Sequence, residues 1–170
     1  KGHFFWDTET YLLPFYLYTD PAKAKTLVEF RVRNLPAAQA LARRSGYRGA
    51  RYPWESDADG QECCSNFQYA EHEIHVTADV VYGLAHYLAA TGGIDRAPAS
   101  FAGVVVETAR YWLDRVDWRP GDRHASILGV MGPDEYAPIT HNNAYTNRLA
   151  AFNLELAARI QAALLPCSDI

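Results

Sequence analysis

Two adjacent carboxylates, Asp134 and Glu135, are the residues of this chain best suited to acid–base chemistry. They lie in residues 132–136, where a Gly and a Pro restrict the backbone to a tight turn. A carboxyl group held by a rigid turn is well placed to transfer a proton to a bound substrate. The alternative is that both acids only cap the helix that follows, since Asp is a favoured N-cap residue.

Two tryptophans are each followed by an acid, in the pairs Trp6-Asp7 and Trp54-Glu55. A pyranose has an apolar face of C–H groups that an indole ring can cover, and hydroxyls that donate to carboxylate oxygens. Either pair alone is equally explained by a core aromatic beside a solvated acid. Two such pairs together with a rigidly placed Glu135 make a sugar-binding site as good an explanation as the structural one.

The histidines do not indicate a metal site. His72 and His75 are three residues apart, with Glu71 and Glu73 beside them, whereas the zinc motif H-E-x-x-H needs a spacing of four. We expect His75 to begin the following helix or to line a pocket. No glycine-rich nucleotide-binding pattern and no G-x-S-x-G pattern occurs, so we predict neither a cofactor nor a serine nucleophile.

The composition is that of a single globular core with no basic surface. The 170 residues are 49% hydrophobic with a net charge of −4, which does not favour a nucleic-acid partner. No segment has the apolar length that a bilayer requires. Adjacent Cys63 and Cys64, with Cys167, do not form a disulfide framework, so we predict a reducing, cytoplasmic location.

The hydrophobic spacing is mostly helical, and it must position these polar residues on loops between helices. We predict a loop over 46–71 and a short strand over 127–130. Helices are predicted over 8–18, after Asp20-Pro21, over 37–44, from 76 to Gly92, over 101–112 and over 145–160. Tyr111 and Trp112 are assigned to the core. Such helix pairs suggest a toroid whose loops converge on a central pocket.

Five segments, taken in order, resemble glycoside hydrolase family 65, which contains maltose, kojibiose, nigerose and trehalose phosphorylases and acid trehalases. As a set they are specific, and they extend nearly from end to end of the chain. The segments are His3-Phe4-Phe5-Trp6-Asp7-Thr8-Glu9 with Leu13-Pro14-Phe15, Tyr52-Pro53-Trp54-Glu55-Ser56, His75 with Ala78-Asp79, residues 107–112, and residues 132–136 with 142–147.

The resemblance implies an all-α catalytic domain of the (α/α)6 barrel type. Residues 1–170 would form roughly its first half, with an N-terminal β-sandwich and the rest of the barrel outside this chain. The chain opens at Lys1 without Met and closes on apolar residues, which we also interpret as part of a larger protein. A homodimer is the assembly expected of the intact protein, with no nucleic-acid or membrane partner.

The resemblance also implies an inverting reaction on an α-glucoside. In this reaction inorganic phosphate attacks the sugar opposite the general acid and gives β-glucose 1-phosphate. Phosphate is then a co-substrate, and neither a metal nor a further cofactor is implied. Glu135 matches the general acid of the family, and the residues that match its glucose-binding positions are Trp6, Asp7, Trp54, Glu55 and Thr77.

Two other functions stay open at this point. One is an inverting hydrolase similar to acid trehalase, whose base would lie beyond residue 170; the other is a non-catalytic helical module that binds sugar. The loop over 60–66 lacks the His and Glu that maltose-type members carry after Gly-x-Glu-Cys. The form Trp54-Glu55-Ser56 is more similar to kojibiose- or trehalose-type members.

Overall fold

The computed structural model describes residues 3–93, 97–137 and 139–164, and within these ranges every regular element is a helix. The prediction of an all-α fold is therefore confirmed. The chain begins with a π-helical segment, Thr8–Leu12, and continues with α1 (Leu13–Thr19), α2 (Pro21–Arg33), α3 (Leu35–Arg44), α4 (Phe67–His72), α5 (Val76–Thr91), α6 (Ala99–Arg115) and α7 (Ala144–Leu164).

The first helix and its successor are separated where the sequence indicates. Pro14 lies at the start of α1, directly after the π-helical segment, and cannot donate a backbone hydrogen bond to that segment. The chain then breaks at Asp20, whose carboxylate accepts a hydrogen bond from the backbone N–H of Lys23 at 3.2 Å and caps α2. This cap confirms the predicted restart at Asp20-Pro21.

Two local predictions need correction. The predicted strand over 127–130 is wrong, because only Val130 pairs, in an isolated bridge with Thr140. At Asn142, which has a φ of 54°, the neighbouring backbone is not extended, and its side-chain oxygen in place of a backbone oxygen accepts from the N–H of Ile127 at 2.9 Å. The predicted loop ends earlier than expected, because the side chain of Asn66 accepts from the N–H of Gln68 at 3.0 Å and begins α4.

Helix α5 lies at the centre of the described fold and packs against the π-helical segment, α1, α2, α6 and α7. Gly83 permits one of these contacts, since a Cβ at this position would lie 3.0 Å from the Cβ of Glu9. Several apolar side chains of α5 are buried, namely Val76, Val80, Val81, Leu84 and Leu88. Full burial of each stabilises the fold by roughly 1.5–3 kcal/mol.

Helices α6 and α7 pack against α5 and against each other. The side-chain amide of Asn153 donates to the backbone oxygen of Val105 at 3.1 Å, which links the two helices through a buried polar contact. Tyr111 and Trp112 are fully buried, as the assignment to the core requires. Among the described residues, no helix combines the length and the apolar character needed to cross a membrane.

Candidate active site

The Trp6-Asp7 segment is held in place by a buried ion pair directly behind it. The Arg31 guanidinium donates to both carboxylate oxygens of Glu9, at 2.6 and 3.0 Å, and to the backbone oxygen of Phe5 at 3.2 Å. Burial raises the pKa of Glu9, and Arg31 acts in the opposite direction. The two charges therefore support each other and position the turn from which Trp6 projects.

The Trp54-Glu55 segment is held by a single carboxylate, that of Glu62. Its two oxygens accept hydrogen bonds from the backbone N–H groups of Trp54 at 2.6 Å, Glu55 at 3.1 Å and Cys64 at 3.0 Å. Burial raises the pKa of Glu62, and these N–H groups counteract that rise. The carboxylate of Glu62 thus accepts hydrogen bonds from backbone N–H groups that a neighbouring strand would bind in a regular sheet.

Glu62→Gln should loosen this loop, because a neutral amide accepts more weakly than a carboxylate and brings two donors toward N–H groups. We expect a loss of stability of about 1–3 kcal/mol and weaker sugar binding. Glu155→Gln, at an exposed carboxylate, is the matched control. Unfolding and KM measured on the full-length protein test this, and an unchanged KM would show that the loop does not depend on Glu62.

Backbone pairing joins the two tryptophan segments. Phe4 and Ser56 exchange two N–H to O bonds, both 2.9 Å long, in an isolated antiparallel bridge. Each of these residues lies two positions from a tryptophan, so the pairing fixes the relative position of Trp6 and Trp54. The edge of Phe5 also meets Trp54, with ring centroids 6.2 Å apart.

Both tryptophans pack against the same side chain, the fully buried His75. The ring centroids of Trp6 and Trp54 each lie 5.5 Å from that of His75, and the ring of Tyr145 lies 5.2 Å from it. His75 stands at the N-terminus of α5, which agrees with its predicted place at the start of a helix. Three segments distant in sequence therefore meet at one imidazole.

Carboxylates flank both nitrogens of that imidazole. The Nδ1 atom of His75 lies 2.7 Å from Asp79, and its Nε2 atom lies 3.6 Å from Glu73, within reach of an ion pair but too far for a hydrogen bond. Burial lowers the pKa of His75, but the two carboxylates outweigh this effect and the net shift is upward. The hydroxyl of Tyr145 donates to the other oxygen of Asp79 at 2.7 Å.

Hydrogen bonds to His72 hold the segment that leads into the turn over 132–136. The backbone N–H of Met131 donates to the oxygen of His72 at 3.0 Å, and the ring of His72 is 2.8 Å from the oxygen of Gly129. A Cβ at Gly132 would lie 2.5 Å from the side-chain amide of Asn143, so a larger residue there would displace that amide. The turn is consequently anchored next to Glu73.

Within the turn, the two acids have different surroundings. Asp134 accepts a hydrogen bond from the backbone N–H of Tyr136 at 3.1 Å and so shapes the turn. Glu135 is exposed. Burial raises the pKa of Glu73, His75 counteracts this rise, and the charge of Glu135 adds to it.

The remaining predicted site residues lie around the same cluster in different environments. Trp6 is partly exposed and Asp7 exposed, whereas Trp54 is only 5% exposed. Thr77 is fully buried, and its hydroxyl oxygen accepts from the N–H of Tyr52 at 3.1 Å. Glu55 is partly exposed and contacts the ring of His3. The roles of these residues stay predictions.

Sequence reasoning missed the supporting residues of the site. Glu62 and Tyr145 carry no signal of their own, because their roles come from partners that are distant in sequence or on irregular backbone. Asp79 and His75 are four apart, the spacing at which helix side chains meet, so their contact could have been found from the sequence.

One group of potential metal ligands lies at the edge of the site. His3, Glu55 and Cys63 bring a nitrogen, an oxygen and a sulfur within 4.8 Å of one another. Burial and the neighbouring carboxylates raise the pKa of Cys63 to about 11, and its thiol donates to the backbone oxygen of Glu55 at a distance of 3.0 Å. A metal ion that bound here would have to displace the proton of this thiol.

The sequence profile of the glycosyl hydrolase family 65 central catalytic domain matches residues 1–169. The chain belongs to this family. Its sequence is similar to a kojibiose phosphorylase of Halothermothrix orenii, with 40% identity over 94% of this chain and 22% of that protein. It is also similar to an α,α-trehalose phosphorylase of Thermoanaerobacter brockii, with 43% identity over 92% of this chain and 20% of that protein.

A relative of a different kind is the protein-glucosylgalactosylhydroxylysine glucosidase of Gallus gallus. It is 38% identical over 94% of this chain and 23% of that protein. The proteins similar to this chain therefore include both phosphorylases and a glucosidase.

The fold is similar to that of a solved structure of a candidate kojibiose phosphorylase from the human microbiome. The TM-score is 0.85 and the identity 33%, over 95% of this chain and 24% of that one. The family 65 catalytic domain is an (α/α)6 barrel, so this chain corresponds to part of such a barrel. The chain spans about a fifth to a quarter of the length of the relatives that it matches.

Proposed function

We propose that the protein containing this chain is an inverting phosphorylase that cleaves an α-linked glucose disaccharide into β-glucose 1-phosphate and a free acceptor sugar. The observation that supports it most directly is the meeting of Trp6 and Trp54 at His75, beside the anchored turn that presents Glu135. Kojibiose and trehalose phosphorylases among the relatives favour a disaccharide as the substrate.

In this proposal the terminal glucose lies on Trp6, whose partly exposed indole covers the apolar face of the sugar. Asp7 and Glu55 accept hydrogen bonds from its hydroxyls, and charge-assisted bonds of this kind fix its orientation. Trp54 is nearly buried and forms the floor. Orientation of the sugar lowers the barrier because the reacting atoms are already aligned.

Glu135 acts as the general acid and donates its proton to the glycosidic oxygen as the bond to the anomeric carbon breaks. A phosphate oxygen forms the new bond to that carbon from the opposite face, which inverts its configuration. The acceptor sugar leaves with the proton, and Glu135 is reprotonated from solvent. Phosphate is itself the nucleophile, so this reaction needs no second carboxylate as a base, unlike inverting hydrolysis.

The dependence of sugar release on phosphate tests this proposal. The full-length protein is incubated with kojibiose or α,α-trehalose, with and without inorganic phosphate, and the products are followed by ¹H and ³¹P NMR. We expect β-glucose 1-phosphate with phosphate present and release at background level without it.

A glucosidase is the second candidate, favoured by the similarity to the Gallus gallus glucosidase. It predicts release of glucose at an equal rate with and without phosphate, as the β-anomer if the reaction inverts. Binding of the disaccharide with neither product would instead support a sugar-binding module and overturn both enzymatic proposals.

A further inference from the structure

Three aromatic rings of the candidate site contact the same residue, His75. Trp6, Trp54 and Tyr145 meet its ring at interplanar angles of 84°, 75° and 84°, all edge-to-face arrangements. They come from the N-terminal segment, the loop before α4 and the start of α7. The orientation of the two tryptophans therefore depends on one buried side chain.

The surroundings of His75 favour its protonated form. Asp79 on α5 and Glu73 before it face the two ring nitrogens, and an imidazolium has a donor on each. Both oxygens of Glu73 and the Nε2 atom of His75 are buried without a hydrogen-bond partner in the described structure, so their attraction is ionic. Other titratable or charged groups on the adjoining segments include His3, Asp7, Glu9, Tyr11, Arg31, Glu55, Glu62, His72, Asp134, Glu135 and Tyr145.

We propose that His75, as an imidazolium between Asp79 and Glu73, is a positioning residue that holds the rings of Trp6 and Trp54 in the orientation in which they bind sugar. This inference rests on the proposed function, because it takes the two tryptophans as sugar-binding residues. His75 is 0% exposed, so it acts through the tryptophans and does not touch the substrate. A cation that lies over the face of an aromatic ring, within about 6 Å of its centroid, is attracted by the ring quadrupole.

The role of this charge gives sugar binding a specific pH dependence. The folded-state pKa of His75 is raised, so the charge is present at lower pH and is lost as the pH rises through that pKa. Loss of the charge weakens the attraction to both tryptophans and to Glu73. The affinity for sugar should therefore fall on the alkaline side, independently of the chemical step.

Three variants of the full-length protein separate this role from a purely structural one. Glu73→Gln keeps the shape of the site and removes one of the two flanking charges. His75→Gln removes the charge and the ring. His86→Gln is the matched control, because His86 lies on the same helix and its ring contacts Tyr82, 6.2 Å away between centroids.

Binding of kojibiose and α,α-trehalose is measured by calorimetry across a pH series in phosphate-free buffer, where no phosphorolysis occurs. We expect His75→Gln to raise Kd about tenfold. Glu73→Gln should move the alkaline loss of affinity to lower pH by about one unit, since a nearby opposite charge favours the ionised form of His75. His86→Gln should match the wild type at every pH.

Two results would overturn the inference: a folded His75→Gln variant with unchanged Kd, or a Glu73→Gln variant whose pH dependence coincides with that of the wild type. If His75→Gln does not fold, the pH series of Glu73→Gln decides the question. Sugar binding without phosphorolysis by the wild type would contradict the proposed function and leave this inference standing. A wild type that binds neither disaccharide would contradict both.

Discussion

Glu135→Gln is expected to lower kcat by about two to four orders of magnitude, the usual contribution of a general acid. A glutamine side chain has nearly the same shape but no acidic proton to give to the glycosidic oxygen. Glu135 is exposed, so the substitution should leave the fold intact. The measurement is the steady-state rate of phosphorolysis by the full-length protein, together with its thermal unfolding.

The chemical signature of this variant is its dependence on the leaving group. An activated glucosyl donor, whose leaving group needs no proton, should react with Glu135→Gln nearly as fast as with the wild type. Asp134→Asn is the matched control, because asparagine still accepts the hydrogen bond from Tyr136 that shapes the turn. Its activity should stay within about twofold of the wild type. A Glu135→Gln enzyme with normal turnover of a disaccharide would remove Glu135 from the mechanism.

The second large effect concerns stability. Arg31→Met should destabilise the fold by about 3–5 kcal/mol at neutral pH, because it leaves the buried carboxylate of Glu9 without its partner. The backbone oxygen of Phe5 also loses its donor, so the Trp6 segment should loosen and KM should rise. Denaturant unfolding of the full-length protein, followed by circular dichroism, measures the first effect.

The pH dependence of this loss can be derived from the surroundings of Glu9. Burial raises the pKa of Glu9, and in the variant no cation opposes this rise. In the unfolded chain Glu9 ionises at the ordinary carboxyl pKa, so the cost of keeping it buried grows as the pH rises above that value and levels off once the pH passes the raised folded-state pKa. The difference from the wild type should therefore shrink as the pH falls.

The double variant Glu9→Leu/Arg31→Met is the control for the ion pair. Replacing both charges by apolar groups of similar volume is often nearly neutral for stability. A double variant as unstable as Arg31→Met would mean that packing, and not the unpaired charge, explains the loss. A single variant with wild-type stability at neutral pH would contradict the role given to the pair.

The outline of the fold was predictable because it depends on local signals. Asp20 followed by Pro21 begins α2, and Gly92 ends α5, as cap preferences require. Tyr111 and Trp112 are in the core, as expected from helical spacing. The strand over 127–130 was wrong because a strand needs a partner, and its neighbour continues for only one paired residue.

The sequence was enough to nominate the chemical groups of the candidate site, but it did not indicate which residues hold them in place. The types and spacing of residues were enough to nominate Glu135, Trp6 and Trp54, because acid chemistry and sugar stacking each require particular side chains. They could not show that Glu62 holds the Trp54 loop, since three backbone N–H groups converge on its carboxylate only after the loop has folded.

Residue order along the chain thus settled the helical class, the family and the identity of the groups able to react. Tertiary structure alone decided how these groups are arranged. Of the two adjacent acids in the turn, Asp134 accepts a hydrogen bond from the backbone of the turn, and Glu135 is exposed. His75 joins segments far apart in sequence, and the carboxylates that the folded chain brings to both ring nitrogens favour its charge more than burial opposes it.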